Sequence, residues 1–425
     1  MKKIKLGELI DVTRGMSLPG DKYAESGDLI RLTLGNFNIQ GNGFKPNTSK
    51  TDLYYTGFVK KEFIMKKGDI ITPLTEQTYG LLGSTARIPE SGKYIQSQDV
   101  ALIRSKSDKL YEDFCYYLIS SPSVRKQLGA AAQQTKIRHT SPDKIKDCEV
   151  IIPEDVNQQI KITNLLNTIE NKIALNNKTN TELENMAKTI YGYWFTQFDF
   201  PDKNGHPYKT SGGQMVYNET LKREIPAGWE VKNILDCCKV IDCLHSKKPD
   251  YCYEDENCYL LQLENLIDLK LIDLTNKYYV SKKDYETWTS KTKVKQGDLV
   301  VTNAGRVGGV SRIPNYIETG IGRNMTSIRP ITISEYLLCY FFSSSDCDKQ
   351  IRQNTDQGAF FQSLNVKGIK KLNLTIPPKE IQDKFDSLVG KMRLQIESNH
   401  KENEELTKLR DYLLPLLMNG QIEVK

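Results

Sequence analysis

Apolar positions fall at helical spacing in two long stretches of this chain. From Ile162 they run Ile162, Leu165, Leu166, Ile169 and Ile173, and 223 residues later Phe385, Leu388, Val389, Met392 and Ile396 repeat the spacing position by position. The same offset carries Glu182-Leu183 onto Glu405-Leu406, so each stretch keeps one heptad seam for more than twenty residues. The first helix is expected within 154–198, after Pro153, with Asp155 as cap and Gln158 three residues on, close to a capping box. It should run to about Phe195, before Phe198-Asp199-Phe200-Pro201 stops it. The second, within a segment 378–425 that includes the C-terminal tail, should run from Lys379 to about Met418, with Asn419-Gly420 as the stop and Pro415 kinking or fraying the last turns. Each is near 40 residues, about 60 Å at 1.5 Å per residue. The expected seam residues are Ile162, Leu166, Ile169, Ile173, Leu183, Phe385, Val389, Met392, Ile396 and Leu406.

Ahead of each helix the pattern changes to short apolar runs separated by turns. Asp69-Ile70-Ile71-Thr72 and Val100-Ala101-Leu102-Ile103 read as buried strands, Leu110 to Ser120 as a helix, with Gly80, Gly83 and Gly92 between. The fold class is α+β: globular domains at 1–153 and 229–377, each followed by its long helix, with a connector at 199–228 that reads as a linker without periodicity. The domains echo each other more loosely than the helices do. Lys67-Gly68-Asp69-Ile70 is answered by Gln296-Gly297-Asp298-Leu299, Arg87-Ile88-Pro89 by Arg312-Ile313-Pro314, and Ile151-Ile152-Pro153 by Thr375-Ile376-Pro377. An internal pseudo-two-fold repeat of domain plus helix predicts a pseudo-dimer in one chain, its two antiparallel helices forming a coiled coil that holds the domains apart. Asn176, Asn177, Asn180, Asn399 and Asn403 place amides near that seam, where they either fix register or lie on the wet face.

Length of 425 residues exceeds one core and suits two domains of about 150 residues with helical connectors. A hydrophobic content of 38% supports folded domains, and the densest apolar run, Tyr336 to Phe342, is far below the roughly 18 residues of a membrane span. No signal peptide is visible, so the chain is expected in the cytoplasm with its nine cysteines reduced. Charge is uneven. Residues 1–150 hold 23 basic against 17 acidic side chains, whereas 151–200 hold 4 against 6, which fits a phosphate-facing domain on a near-neutral helical spacer as well as it fits ordinary surface charge.

Three stretches resemble the specificity (S) subunit of type I restriction-modification systems. They are Trp194-Phe195 through Phe198-Asp199-Phe200-Pro201 to Gly212-Gly213 and Ile225-Pro226-Ala227-Gly228-Trp229-Glu230, the two Ile-Pro junctions, and the terminal Leu409-Arg410-Asp411-Tyr412-Leu413-Leu414-Pro415-Leu416-Leu417-Met418-Asn419-Gly420. The resemblance spans the chain and is weakest inside the globular domains. It implies a non-catalytic subunit whose two target-recognition domains read the halves of a bipartite double-stranded DNA site, with the helices as spacer and as docking surface for two methyltransferase (M) subunits. Restriction (R) subunits join where the system cleaves. On the same resemblance this chain binds no cofactor, while S-adenosylmethionine, ATP and Mg belong to the partner subunits.

The residues agree with an absence of catalytic chemistry. There is no Asn-Pro-Pro-aromatic tetrad, no P-loop and no Gly-rich S-adenosylmethionine loop, and 303–309, the nearest Gly-rich segment, lacks Gly-Lys-Ser/Thr and leads into another short strand. Pro142-Asp143 before Glu149 superficially suggests a nuclease carboxylate pair, but no lysine follows at the spacing a nuclease needs. Cys237, Cys238, Cys243, Cys252, Cys258 and His245 have spacings that fit no ordinary zinc finger, and no metal site is expected. Tyr191, Tyr193, Trp194 and Phe195 read as core or helix-docking residues.

Base readout needs Arg, Lys, Asn and Gln at groove edges, and phosphate anchoring needs Lys, Arg and hydroxyls. Gln133, Gln134, Thr135, Lys136 and Arg138 concentrate these types before the first Ile-Pro junction; Gln357, Phe360 and Gln362 occupy the equivalent place in the second copy. Equal position with different content is what two readers of different half-sites should have. Further DNA-contact candidates are Gln77, Thr78, Tyr79 and Gln98 in the first domain, Asn303, Arg306, Arg323 and Asn324 in the second, and Arg14 and Lys22 for phosphates. Two other readings stay open: a coiled-coil tether joining proteins, which salt-sensitive DNA binding would exclude, and a single-chain enzyme, which the missing motifs disfavour.

Overall fold

The computed structural model describes residues 3–38, 42–77, 79–131, 138–305, 307–357 and 362–424. Packing divides the chain into two units, Met1–Ile173 with Glu405–Lys425, and Ala174–Glu404.

In the first unit a four-stranded antiparallel sheet runs in the order Ile10–Arg14, Val100–Ser105, Ile70–Pro73, Ala86–Arg87. The two runs expected as buried strands are thus its centre, and every residue of Ile70–Pro73 is buried, as a continuous apolar run demands. A second sheet orders Tyr23–Ala24, Tyr54–Tyr55, Ile30–Arg31 and Tyr94–Ile95, the last pair parallel. Ile4–Lys5 pairs with Glu149–Val150. The helices Phe114–Ile119 and Pro142–Lys146 cover the first sheet; the latter starts with Pro142 in its first turn and the Ser141 hydroxyl accepting from Lys144 N at 3.2 Å. The core joins Leu6, Ile10, Ile103, Phe114 and Ile145 to Ile162 and Leu166 of the first long helix and Leu414, Leu417 and Met418 of the second.

The second unit has the same strand order in its main sheet: Cys238–Asp242, Met325–Pro330, Leu299–Thr302, Val310–Arg312, all antiparallel. A three-stranded sheet sets Tyr259–Leu261 between Tyr278–Tyr279 and Gly320–Ile321, again with one parallel pair, and Glu230–Asn233 pairs with Asn373–Ile376. Residues 199–228, read as a linker without periodicity, are folded: Met215–Asn218 and Arg223–Pro226 form a hairpin, and the Phe200 ring stacks on Tyr208 at 4.6 Å and packs at a tilt against Trp229 at 5.0 Å. The hairpin's strands do not alternate: Met215-Val216-Tyr217 is a continuous apolar run of which Val216 and Tyr217 are exposed, and Ile225-Pro226 are buried side by side.

The long helices have nearly the expected ends. The first is Val156–Tyr191 followed by one π-helical turn, Gly192–Thr196, with Asp155 Oδ1 accepting from Asn157 N at 2.9 Å. The second is Lys379–Phe385, a π-turn Asp386–Gly390, and Lys391–Met418. Pro415 lies inside it without ending it; Gly420 (φ 64°) does, with Gln421 N on Leu416 O and Gly420 N on Leu417 O closing a Schellman turn. The echo holds in burial across the second helix's π-turn, with Phe385 and Val389 buried like Ile162 and Leu166, although Leu388 is exposed where Leu165 is half-buried.

Of the expected seam residues, Ile162, Leu166 and Ile169 are buried and Ile173 half-buried in the first unit; Phe385, Val389 and Ile396 are buried and Leu183 and Met392 half-buried in the second, and Leu406 is half-buried in the first. Phe385 centres an aromatic cluster with Tyr191, Trp194, Phe195 and Tyr340, its ring 4.9 Å from that of Phe195. Tyr191, Trp194 and Phe195 are therefore core, while Tyr193 is exposed. Along the middle of the helix pair the buried positions are polar. In the second unit Asn176 bonds Asn403 and Asn180 bonds Asn399, so partner numbers fall on one helix as they rise on the other.

Each unit also fastens its sheet to a long helix through the arginine of its Arg-Ile-Pro motif. Arg87 Nη1 donates to Asn167 Oδ1 at 3.0 Å; Arg312, fully buried, holds both carboxylate oxygens of Glu397 at 2.8 and 2.9 Å and Glu335 at 2.8 Å.

Candidate nucleic-acid interface

In the first unit Arg14 lies opposite Ala101 and Pro73 opposite Val100. Everything that follows Arg14 or Pro73, or precedes Val100, therefore leaves the main sheet at one end. Gln77, Tyr79 and Gln98 sit in these segments, and Arg138 joins them because Arg138–His139 pairs with Thr75–Glu76. Arg14 Nε donates to the Gln98 carbonyl at 2.7 Å, and the Arg138 guanidinium lies 5.1 Å from the centre of the Tyr79 ring. Five expected residues are thus brought together, of which Arg14, Gln77, Tyr79 and Gln98 are exposed. Lys22 is apart from them, in a turn that enters the other sheet, 3.4 Å from Asp21. Thr78, Gln133, Gln134, Thr135 and Lys136 lie outside the described residues.

One carboxylate organises this end. Glu76 is buried; its Oε2 accepts from the backbone N–H of Gly80, Leu81 and Leu82 at 3.0, 2.8 and 3.0 Å, and its Oε1 holds Arg138 Nη1 at 2.9 Å. Arg138, which also donates to the Gly129 carbonyl, is anchored and half-buried. The sequence places Glu76 in a polar stretch and gives no sign of its burial. Gln96 is likewise spent on the scaffold, donating to Thr13 O at 2.8 Å and Val100 O at 3.0 Å. The backbones approach so closely here that a Cβ at Gly15 would lie 2.2 Å from the Ser97 carbonyl oxygen.

The second unit repeats the arrangement with other side chains. Asp242 lies opposite Thr326 and Thr302 opposite Met325, so 303–309 and the turn before Met325 leave the sheet at one end. Asn303 N donates to Asn324 O at 2.8 Å, and Leu364 N to Asn303 O at 2.9 Å, which ties the hairpin Asp356–Gln357/Gln362–Ser363 to the same place with Gln357 opposite Gln362. Arg323 and Asn324 are exposed, the latter at φ 62°, whereas Asn303 is half-buried and its Oδ1 accepts from the Thr326 hydroxyl at 3.1 Å. Arg306 and Phe360 lie outside the described residues. Leu299–Thr302 and Val310–Arg312 are antiparallel, with Thr302 N donating to Gly309 O and Gly308 N to Thr302 O, so a strand and not a helix follows the Gly-rich segment between them, unlike a phosphate-binding strand-to-helix turn.

The cysteines disperse. Cys237 and Cys238 belong to one core and Cys243 to another, and every described cysteine is free. Asp242, Cys243 and His245 do approach, their ligand atoms within 4.8 Å of one another and His245 Nε2 2.7 Å from Asp242 Oδ2. Burial pushes the Cys243 thiol up, which opposes the thiolate a metal would need. No described helix is long and apolar enough to cross a membrane.

The family model for the type I restriction modification DNA specificity domain matches residues 1–185 and 226–408. Among named relatives, the type I restriction enzyme MjaIX specificity subunit of Methanocaldococcus jannaschii is 25% identical over 324 residues, covering 75% of this chain and 71% of its own. The HindI specificity subunit of Haemophilus influenzae is 22% identical over 386 residues, covering 77% and 81%. The crystal structure of a type I restriction-modification system S subunit from M. genitalium shares the fold, with a TM-score of 0.56 over 98% of this chain and 96% of that one at 15% identity. The two matched segments take in both main sheets and most of both long helices, and on them this chain belongs to the type I restriction-modification DNA specificity family, as a non-catalytic subunit that recognises the DNA target.

Proposed function

We propose that each unit reads one half of a bipartite DNA target, and that the two long helices pair as an antiparallel coiled-coil spacer which also docks methyltransferase subunits. The observation that carries this reading is the equivalence of the two main sheets: one strand order in both, and in both a set of loops leaving the same end with different polar side chains. Gln77, Tyr79 and Gln98 face solvent at one such end, Arg323 and Asn324 at the other. Exposed Gln and Asn amides and Arg suit base edges, and Arg14 suits a phosphate.

Support for a docking role lies on the helices. Leu175, Met186 and Tyr193 are exposed on the first at spacings of eleven and seven, which keeps them on one face, and Leu388 and Leu394 are exposed on the second. In this reading S-adenosylmethionine, and ATP with Mg where the system cleaves, act in the partner subunits, and this chain binds DNA and protein only.

The test is a selection from random duplex DNA by the full chain assembled with its methyltransferase partner. The expected outcome is two short conserved blocks separated by a fixed, unconserved spacer, with affinity falling steeply as salt rises. A single block, or salt-independent enrichment without any block, would overturn the reading.

A further inference from the structure

Between Ile169 and Ala187 the first long helix fully buries three positions, Asn176, Asn180 and Glu184, and none is apolar. Between Gly390 and Arg410 the second buries Arg393, Ile396, Glu397, Asn399 and Asn403, with Ile396 alone apolar. The asparagines satisfy one another. Asn176 Nδ2 donates to Asn403 Oδ1 at 2.9 Å and to Glu402 at 2.8 Å, Asn403 Nδ2 to Asn177 Oδ1 at 2.9 Å, and Asn399 Nδ2 to Asn180 Oδ1 at 2.8 Å. One turn on, Glu184 accepts from the Tyr340 hydroxyl at 2.7 Å, pairs with Lys270 and lies 3.5 Å from Arg393. Arg393 in turn donates to the carbonyls of Leu269 and Lys270, two successive residues held at φ 58° and 57°.

This spine is matched in one alignment only. Slipping the helices by one heptad would set Asn176 against Ile396 and Asn180 against Met392, or, in the other sense, against Arg410 and Leu406. In three of these four juxtapositions, with Ile396, Met392 and Leu406, a buried amide faces an apolar side chain and loses its partner. Leucine in the same places would pack in several registers, since apolar contact is non-directional. A heptad step is about 10.5 Å along the axis, or about three base pairs.

We propose that the polar spine selects the register in which the long helices pair, and through it the one spacer length accepted between half-sites; this rests on the bipartite reading above. The test compares wild type with Asn176→Leu/Asn180→Leu/Asn399→Leu/Asn403→Leu, each as the full chain with its methyltransferase partner, in competition binding to DNAs whose spacer is the selected length or three base pairs shorter or longer. Wild type should prefer the selected spacer at least tenfold. The variant should melt no lower and keep its half-site sequences, but its preference should fall below threefold in at least one direction. Retention of the tenfold preference overturns the spine proposal and leaves the bipartite reading standing; a wild type indifferent to spacer removes that reading first. Should the fourfold variant not fold, Asn180→Leu/Asn399→Leu removes one matched pair, and must give an intermediate preference; an unchanged one overturns the proposal equally.

Discussion

Gly15 sits where two backbones meet at the proposed reading end, and the space it leaves is too small for any other residue. A methyl group there would meet the Ser97 and Gln96 carbonyl oxygens at 2.2 and 2.4 Å, so Gly15→Ala must push away the segment that carries Gln98. Overpacking of this kind costs about 1–3 kcal/mol, and here it also displaces a loop of the proposed reading end. Stability by urea titration should fall by that amount, and binding should weaken for changes tested in one half-site only; an unshifted affinity would detach this end of the sheet from readout. Glu170 gives a pH-dependent case. Burial raises its carboxyl above the ordinary glutamate value, against the opposing pull of Arg410, 4.0 Å away. A folded-state value above the unfolded one means that the protonated form is favoured by folding, so stability is highest below the unfolded value and declines as pH rises through the folded one. Glu170→Gln removes that decline. The variant should gain on wild type between pH 4 and pH 7 in melting temperature, and a parallel pair of curves would mean that the buried carboxyl is compensated by its neighbours.

At the scale of elements, Arg312 ties a sheet strand, Val310–Arg312, to the second long helix through Glu397 and to the helix Glu335–Phe341 through Glu335. Removing one partner of a buried pair strands the other, which typically costs about 3–5 kcal/mol. Arg312→Ala should destabilise the second unit by that order. Arg312→Lys should recover only part, since an ammonium has one nitrogen where the guanidinium uses Nη1 for Glu397 and Nη2 for Glu335, and full recovery by lysine in denaturant titration would show that charge alone suffices. What could be read of these elements from the sequence follows the same physics. The helices are legible because their apolar faces recur at helical spacing over many turns, and Ile70–Pro73 because it is buried on both faces. The hairpin 215–226 is not, as its burial depends on Phe200, Tyr208 and Trp229 packing nearby rather than on its own alternation. The polar centre of the helix pair is half legible: the asparagines are visible at seam positions, but whether they meet each other or water depends on a partner helix over two hundred residues away. Glu76 is the clearest loss, because a buried carboxylate bonded to three N–H groups and an arginine is spelled like any exposed glutamate.

For the whole molecule, the separateness of the two cores sets what can be exchanged. The first unit's core draws on residues 6–152, on Ile162 and Leu166, and on the end of the second long helix, while the second unit's core lies within 187–389. Among the described residues, none of 1–150 contributes a side chain to that second core. Replacing 1–150 by the same region of a relative should therefore recode one half-site and leave the other untouched. Compatibility hangs on a few contacts that the incoming domain must reproduce: an arginine to reach Asn167, a Tyr117 equivalent whose hydroxyl donates to the same amide at 2.8 Å, and apolar cover for Ile162 and Leu166. A relative with these residues should give a chimera that folds, binds and methylates with its partner subunits at a hybrid target, as selection from random DNA would reveal. A relative lacking them should lose first-half readout while the second block is still selected. If both blocks change in a chimera that keeps the anchoring contacts, the units do not read independently, and the equivalence of their two sheet ends has another purpose.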